Sequence, residues 1–151
     1  MTHPAINKAR ENVDRFGWHC VHVLPRKDED YVPFAYTIGL VESFNHPEIM
    51  IFGLGKDTAH GILSDCVDLI RGGTVLSTDS LVANILAGNF DVQFRPVRRQ
   101  FFSDYLGHAC RFYGEDTFKA LVLFWPDKTG RFPWESGNPL SQREALDIAE
   151  I

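Results

Sequence analysis

The segment PFAYTIGLVESFNHPEIMIFGLG, residues 33–55, decides how this chain is read. FAYTIGL, 34–40, alternates as a strand does. Phe34, Tyr36, Ile38 and Leu40 fall on one face, and Ala35, Thr37 and Gly39 on the other. EIMIFGL, 48–54, is apolar on both faces, the pattern of a strand in the middle of a sheet. Between them lies a loop in which Glu42, His46 and Glu48 bring a histidine near two carboxylates. That combination suits general acid–base chemistry or a divalent metal. It equally suits a structural loop, with Pro47 biasing His46 away from helix.

The elements on either side extend this strand pair into a domain. Ahead of it, Thr2-His3-Pro4 opens a helix in which Ile6, Ala9, Val13 and Phe16 share a face and which Gly17 stops. WHCVHVL, 18–24, reads as a strand and RKDED, 26–30, as a charged loop. After it, Asp57 or Thr58 caps a helix whose apolar positions are Ala59, Ile62, Leu63, Cys66, Val67 and Ile70. Residues 78–87 read as a shorter helix, 90–97 as a one-sided strand, 109–113 as a short strand and 118–125 as a buried one. Asp127-Lys128-Thr129-Gly130 is a turn, and Ser141-x-x-Glu144 is a capping box opening a terminal helix. The expectation is one α+β domain over residues 1–151. Its sheet is antiparallel or mixed, a partial barrel being one form of it, with helices packed on one side.

Bulk properties narrow the partners. The chain has 151 residues, 44% hydrophobic and 23% charged, with a net charge of -5. That balance argues against general nucleic-acid binding, which needs a broad basic surface. Cys20, Cys66 and Cys110 form no Cys-x-x-Cys pair, so a disulfide framework or a closed zinc site is not expected. Free thiols fit a cytoplasmic setting. No stretch reaches the length of a membrane span, and homo-oligomerisation stays open.

Several blocks together resemble a known family. GWHCVHV, PFAYTIGL, NHPEIMIFGL, the helix with Ala59, His60 and Leu63, and LVLFWPDKTGRFPWESG are similar to the bacterial domain-of-unknown-function 4262 family, over about residues 17–137. Within them Tyr36, Thr37, Gly39, Leu40, His46, Pro47, Glu48, Trp125, Pro126, Asp127, Pro133 and Trp134 match its pattern. The resemblance implies a small soluble domain and no established reaction.

Among the remaining candidates, Gly53-Leu54-Gly55-Lys56 lacks the first glycine of a phosphate-binding loop, since Met50 stands there, and reads as a plain strand-to-helix turn. His19 and Cys20, adjacent on a strand, face opposite sides. His60 reads as a half-buried structural residue. Arg95, Arg98, Arg99 and Arg111 could grip an anion or form a charged face. Phe124, Trp125, Phe132 and Trp134 could line a pocket for a flat ring or close the core. The favoured reading is binding of a small molecule, nucleotide- or flavin-like, at Thr37, Gly39, His46, Glu48, Arg95 and Trp134. No reaction, cofactor or metal is assigned. A protein-interaction or immunity-type module is the alternative, and a metal-dependent hydrolase built on His46 is the second.

Overall fold

A computed structural model describes residues 4–24, 32–78, 81–83, 85–86, 90–114, 117–135 and 140–151. Its centre is a five-stranded mixed sheet in the order β1-β2-β3-β5-β4. Strands β1 (His19–Val23), β2 (Phe34–Ile38) and β3 (Glu48–Phe52) form an antiparallel meander. Strand β5 (Ala120–Phe124) runs parallel to β3, and β4 (Gln93–Pro96) pairs antiparallel on its outer side. The sheet is open, with β1 and β4 at its edges. The α+β class with a mixed sheet is therefore what the chain forms.

The all-apolar strand β3 requires cover on both faces, and it has it: all five of its residues are buried. On one face Tyr36, Ile38, Met50, Phe52, Val122 and Phe124 pack under α1 (Pro4–Phe16), α4 (Phe102–Tyr105), α5 (Gly107–Tyr113) and α6 (Arg143–Ile148). On the other, Ala35, Ile49, Ile51, Phe94, Leu121 and Leu123 pack under α3 (Lys56–Arg71), through Ala59, Ile62, Leu63, Cys66, Val67 and Ile70. The apolar period of α3 places its core face where helical spacing puts it. Helices on one side only, the arrangement expected from the sequence, does not hold. A strand with two apolar faces cannot leave one in water.

Local differences have local causes. Gly39, at φ 109, turns the chain out of β2 into α2 (Leu40–Phe44), so part of the expected loop is helix. Leu40 then leaves the Phe34–Tyr36–Ile38 face and joins the α3 side. Residues 109–113 belong to α5 rather than to a strand. Phe102, Leu106 and Ala109, four and three apart, bury one helical stripe across α4 and α5. Among the described residues of 78–87 there is no helix, and Val82 forms a bridge with Val92. Helix α3 starts after Gly55, not at an Asp57 or Thr58 cap. The Ser141 capping box does not form: α6 has no side-chain cap, and Glu144 accepts from the Tyr105 hydroxyl at 2.6 Å. Residues 26–30, read as a charged loop, lie outside the described residues, as do Thr2 and His3.

Gly53 fixes where the C-terminal segment can sit. It ends β3 at φ +83, and a Cβ there would lie 2.3 Å from the Ser141 carbonyl oxygen. Gly53→Ala is expected to cost about 2 kcal/mol or more, from left-handed strain and backbone overlap together. Equilibrium urea denaturation measures this, against Gly61→Ala, where a Cβ meets nothing within 4 Å.

Candidate functional site

The residues singled out in the sequence separate into three places. The first is a buried nest around Glu48, which is 0% exposed. Its carboxylate accepts from the Thr37 hydroxyl at 2.7 Å and from the Tyr113 hydroxyl at 2.5 Å. The backbone N–H groups of Gly39, Leu40 and Val41 also donate to it, at 3.2, 3.2 and 3.1 Å. Those amides have no partner within α2, so Glu48 does from across the sheet what an N-cap does locally, with the Gly39 N–H shared between Glu48 and the Tyr113 hydroxyl at 3.0 Å. Burial pushes its pKa up to about 7, while the Tyr113, Thr37, Val41 and Leu40 donors pull it down. Thr37 completes the nest by accepting from the Ile49 N–H at 3.0 Å. Gly39 is required because a Cβ would sit 2.7 Å from Val13 Cγ2. The close approach at Gly39 is thus made by helix α1.

The second place is His46. Its Nδ1–H donates to the Pro47 carbonyl at 2.9 Å, and its Nε2 accepts from the Leu76 N–H at 3.0 Å. Both ring nitrogens are spent, which fixes one neutral tautomer and leaves neither for a metal or a substrate proton. Glu42 points elsewhere, into an ion pair with Arg10 that holds its carboxyl below the usual value. Glu42, His46 and Glu48 therefore do not converge.

The third place is Arg95 and Trp134. The guanidinium lies 4.6 Å from the centroid of the Trp134 ring, and Trp134 stacks on Phe132 and meets Phe124 edge-on. Arg95 also donates to the Phe94 carbonyl and to Gln93 Oε1. This pair closes the β4 end of the core. The other arginines scatter: Arg98 donates to the Ala149 carbonyl and Arg99 lies over Phe102.

A different set of residues does converge. Where α1 ends and edge strand β1 begins, the structure opens a cleft of ≈ 810 Å³. One wall comes from Arg15, Phe16 and Trp18, around the turn at Gly17. The other is a flank of α3 with His60, Ser64, Asp68 and Arg71, at helical spacings of four, four and three. Helix α2 adds Ser43 and Phe44. Trp18 stacks with His60 at 5.6 Å between centroids, and His60 is exposed rather than half-buried. Arg71 donates to the Phe16 carbonyl at 2.6 Å and lies over the Phe44 ring at 5.6 Å. Gly17, at φ +89, allows this crowding: a Cβ there would be 3.3 Å from both Arg71 and Phe44.

Cys20 and His22, two apart on β1, share a face and bring Sγ to 3.3 Å from Nε2. Burial pushes the Cys20 thiol up to about 12 and lowers His22. The resting pair is thiol and neutral imidazole, not an activated thiolate. Among the described residues, no three His, Cys, Asp or Glu side chains gather to hold a metal ion, and no helix is long and apolar enough to cross a membrane. The cleft residues carry a sequence signal after all. His60, Ser64, Asp68 and Arg71 form a polar stripe beside the apolar face of α3.

A family model described as "Domain of unknown function (DUF4262)" matches residues 12–139, and the chain belongs to that family. No curated protein and no solved structure matches it.

Two outcomes test the roles of Glu48 and His46. The folded value of Glu48, about 7, lies above its ordinary 4.5. The folded state thus holds the proton between those limits, and the stability this group contributes is lost as pH rises through the window. Compared with Glu48→Gln, the wild type should lose as much as about 3 kcal/mol of unfolding free energy across it, read by denaturation at stepped pH. His46→Ala should cost about 2 kcal/mol by orphaning the buried Leu76 N–H, with faster hydrogen exchange at Leu76 as the local readout.

Proposed function

We propose that this member of the domain-of-unknown-function 4262 family binds a small planar molecule carrying an anionic group, of the nucleotide or flavin kind, in the cleft between α1, β1 and α3. The observation that carries this reading is the composition of that cleft. An aromatic pair, Trp18 on His60, stands beside two arginines, Arg15 and Arg71, in a chain of net charge -5. At ≈ 810 Å³ the cleft falls in the range of ligand sites.

Each group has a distinct task. The Trp18 and Phe44 rings offer faces for a flat ring system. Arg71 is held in advance by the Phe16 carbonyl and the Phe44 ring. A phosphate or carboxylate then meets an ordered guanidinium, which lowers the entropic cost of binding. Arg15 adds positive charge on the facing wall, and Asp68, exposed on the α3 flank, can accept from a ring or ribose donor. The side chains first singled out, His46, Glu48 and Thr37, support this site from behind by holding α2 and the turn after α3.

Calorimetric titration with flavin mononucleotide and with adenosine monophosphate tests the reading. Saturable binding of either is expected, with Kd raised at least about tenfold in Trp18→Ala and in Arg71→Gln and unchanged in Arg95→Gln. Absence of saturable binding, or binding indifferent to both cleft substitutions, overturns it.

A further inference from the structure

One short helix joins the buried nest to the cleft. Helix α2 has five residues, too few to be stable on its own, so its position is set by what holds its ends. Its first turn is held by Glu48, through the Gly39, Leu40 and Val41 amides. Its last residues, Ser43 and Phe44, wall the cleft, and Phe44 carries the Arg71 guanidinium over its ring.

We propose that protonation of Glu48 regulates the cleft: the ionised carboxylate fixes α2 with Phe44 and Arg71 in place for an anionic ligand, and the protonated form releases the first turn and weakens binding. The inference rests on the cleft reading given above. Its geometric basis is the saturation of the carboxylate, whose two oxygens accept from five donors. A proton on either oxygen turns an acceptor into a donor facing other donors. Hydroxyls of Thr37 and Tyr113 can rotate, but the α2 amides cannot.

Among the described residues, the groups that donate to the Glu48 carboxylate are uncharged hydroxyls and amides. From α5 the Tyr113 hydroxyl faces Glu48, and from β2 the Thr37 hydroxyl; the Tyr36 phenol is raised by its burial first of all, with the Glu48 charge adding to it. On α2, Glu42 turns away to Arg10 of α1, which also pairs with Asp14. Beside β5, the Lys119 carbonyl accepts the Glu48 N–H. Among the described residues no cation pairs with Glu48. Burial and these donors therefore set its titration near pH 7, within the range where a cell can use it.

Coupling is reciprocal: if ionised Glu48 favours the ligand, the ligand must favour ionised Glu48. The probe is naphthalene-1-sulfonate, whose charge does not titrate. His19, which lines the cleft and whose pKa burial lowers, would tighten an anion at low pH in any variant, so the quantity read is the affinity ratio of wild type to Glu48→Gln. That ratio should rise about fivefold from about pH 5.5 to about pH 8. In the wild type, the Glu48 carboxyl midpoint, followed by carbon-13 NMR, should fall on saturation with the probe. The NMR titration decides if Glu48→Gln does not fold. A pH-independent ratio, or a midpoint the probe leaves unmoved, overturns the proton link while the cleft reading stands. A probe that binds at neither pH overturns the cleft reading, and the link with it.

Discussion

The buried carboxylate of Glu48 is the constraint on which the rest of the structure depends. It stands at the first residue of the central strand and takes donors from β2, α2 and α5. A side chain so placed costs several kcal/mol unless its lone pairs are filled. Filling them requires Gly39 to turn left-handed, α2 to start at that point, and Tyr113 to reach in from the far end of α5. These are distant parts of the chain, and the Glu48 nest brings them together. Gly39 then cannot carry a side chain because Val13 of α1 packs against it.

Around that nest the sheet is insulated on both faces. The α1, α4, α5 and α6 layer and the α3 layer bury every residue of β3 and β5. Chemistry that needs solvent or a ligand is thereby displaced to an edge. At the β4 edge, Trp134 and Arg95 seal the core. At the β1 edge, the left-handed Gly17 lets α1 turn away sharply, and the gap between α1 and α3 stays open as the cleft. Phe44 and Arg71 form its inner wall. Phe44 belongs to the short helix that Glu48 holds and Arg71 to the end of α3, so the buried carboxylate and one wall of the cleft share α2.

How much of this could be seen in advance varies with the range of the interaction. The core face of α3, the alternation of β2 over Phe34, Tyr36 and Ile38, and the two-faced burial of β3 follow from periodicity within a few residues. The α5 helix was hidden because its stripe, Phe102, Leu106 and Ala109, crosses a break between two short helices. The one-sided helical layer failed because a count of helices does not say which face each one covers. His46 looked chemical from its neighbours in sequence. Its actual partners are the Pro47 carbonyl and a backbone amide thirty residues on.

By itself, then, the amino-acid order determined the class of fold, the apolar faces, the glycine turns and the identity of the residues worth watching in 33–55. Those depend on local sterics and on hydrophobic period, which any short window carries. Only the tertiary structure decided that Thr37, Gly39 and Glu48 close on one another, that Arg95 and Trp134 seal an edge, and that Trp18, His60 and Arg71 face a common cleft. Which polar groups meet depends on how helices are laid over the two faces of the sheet. That is set by burial summed over the whole chain, and no window of the sequence contains it.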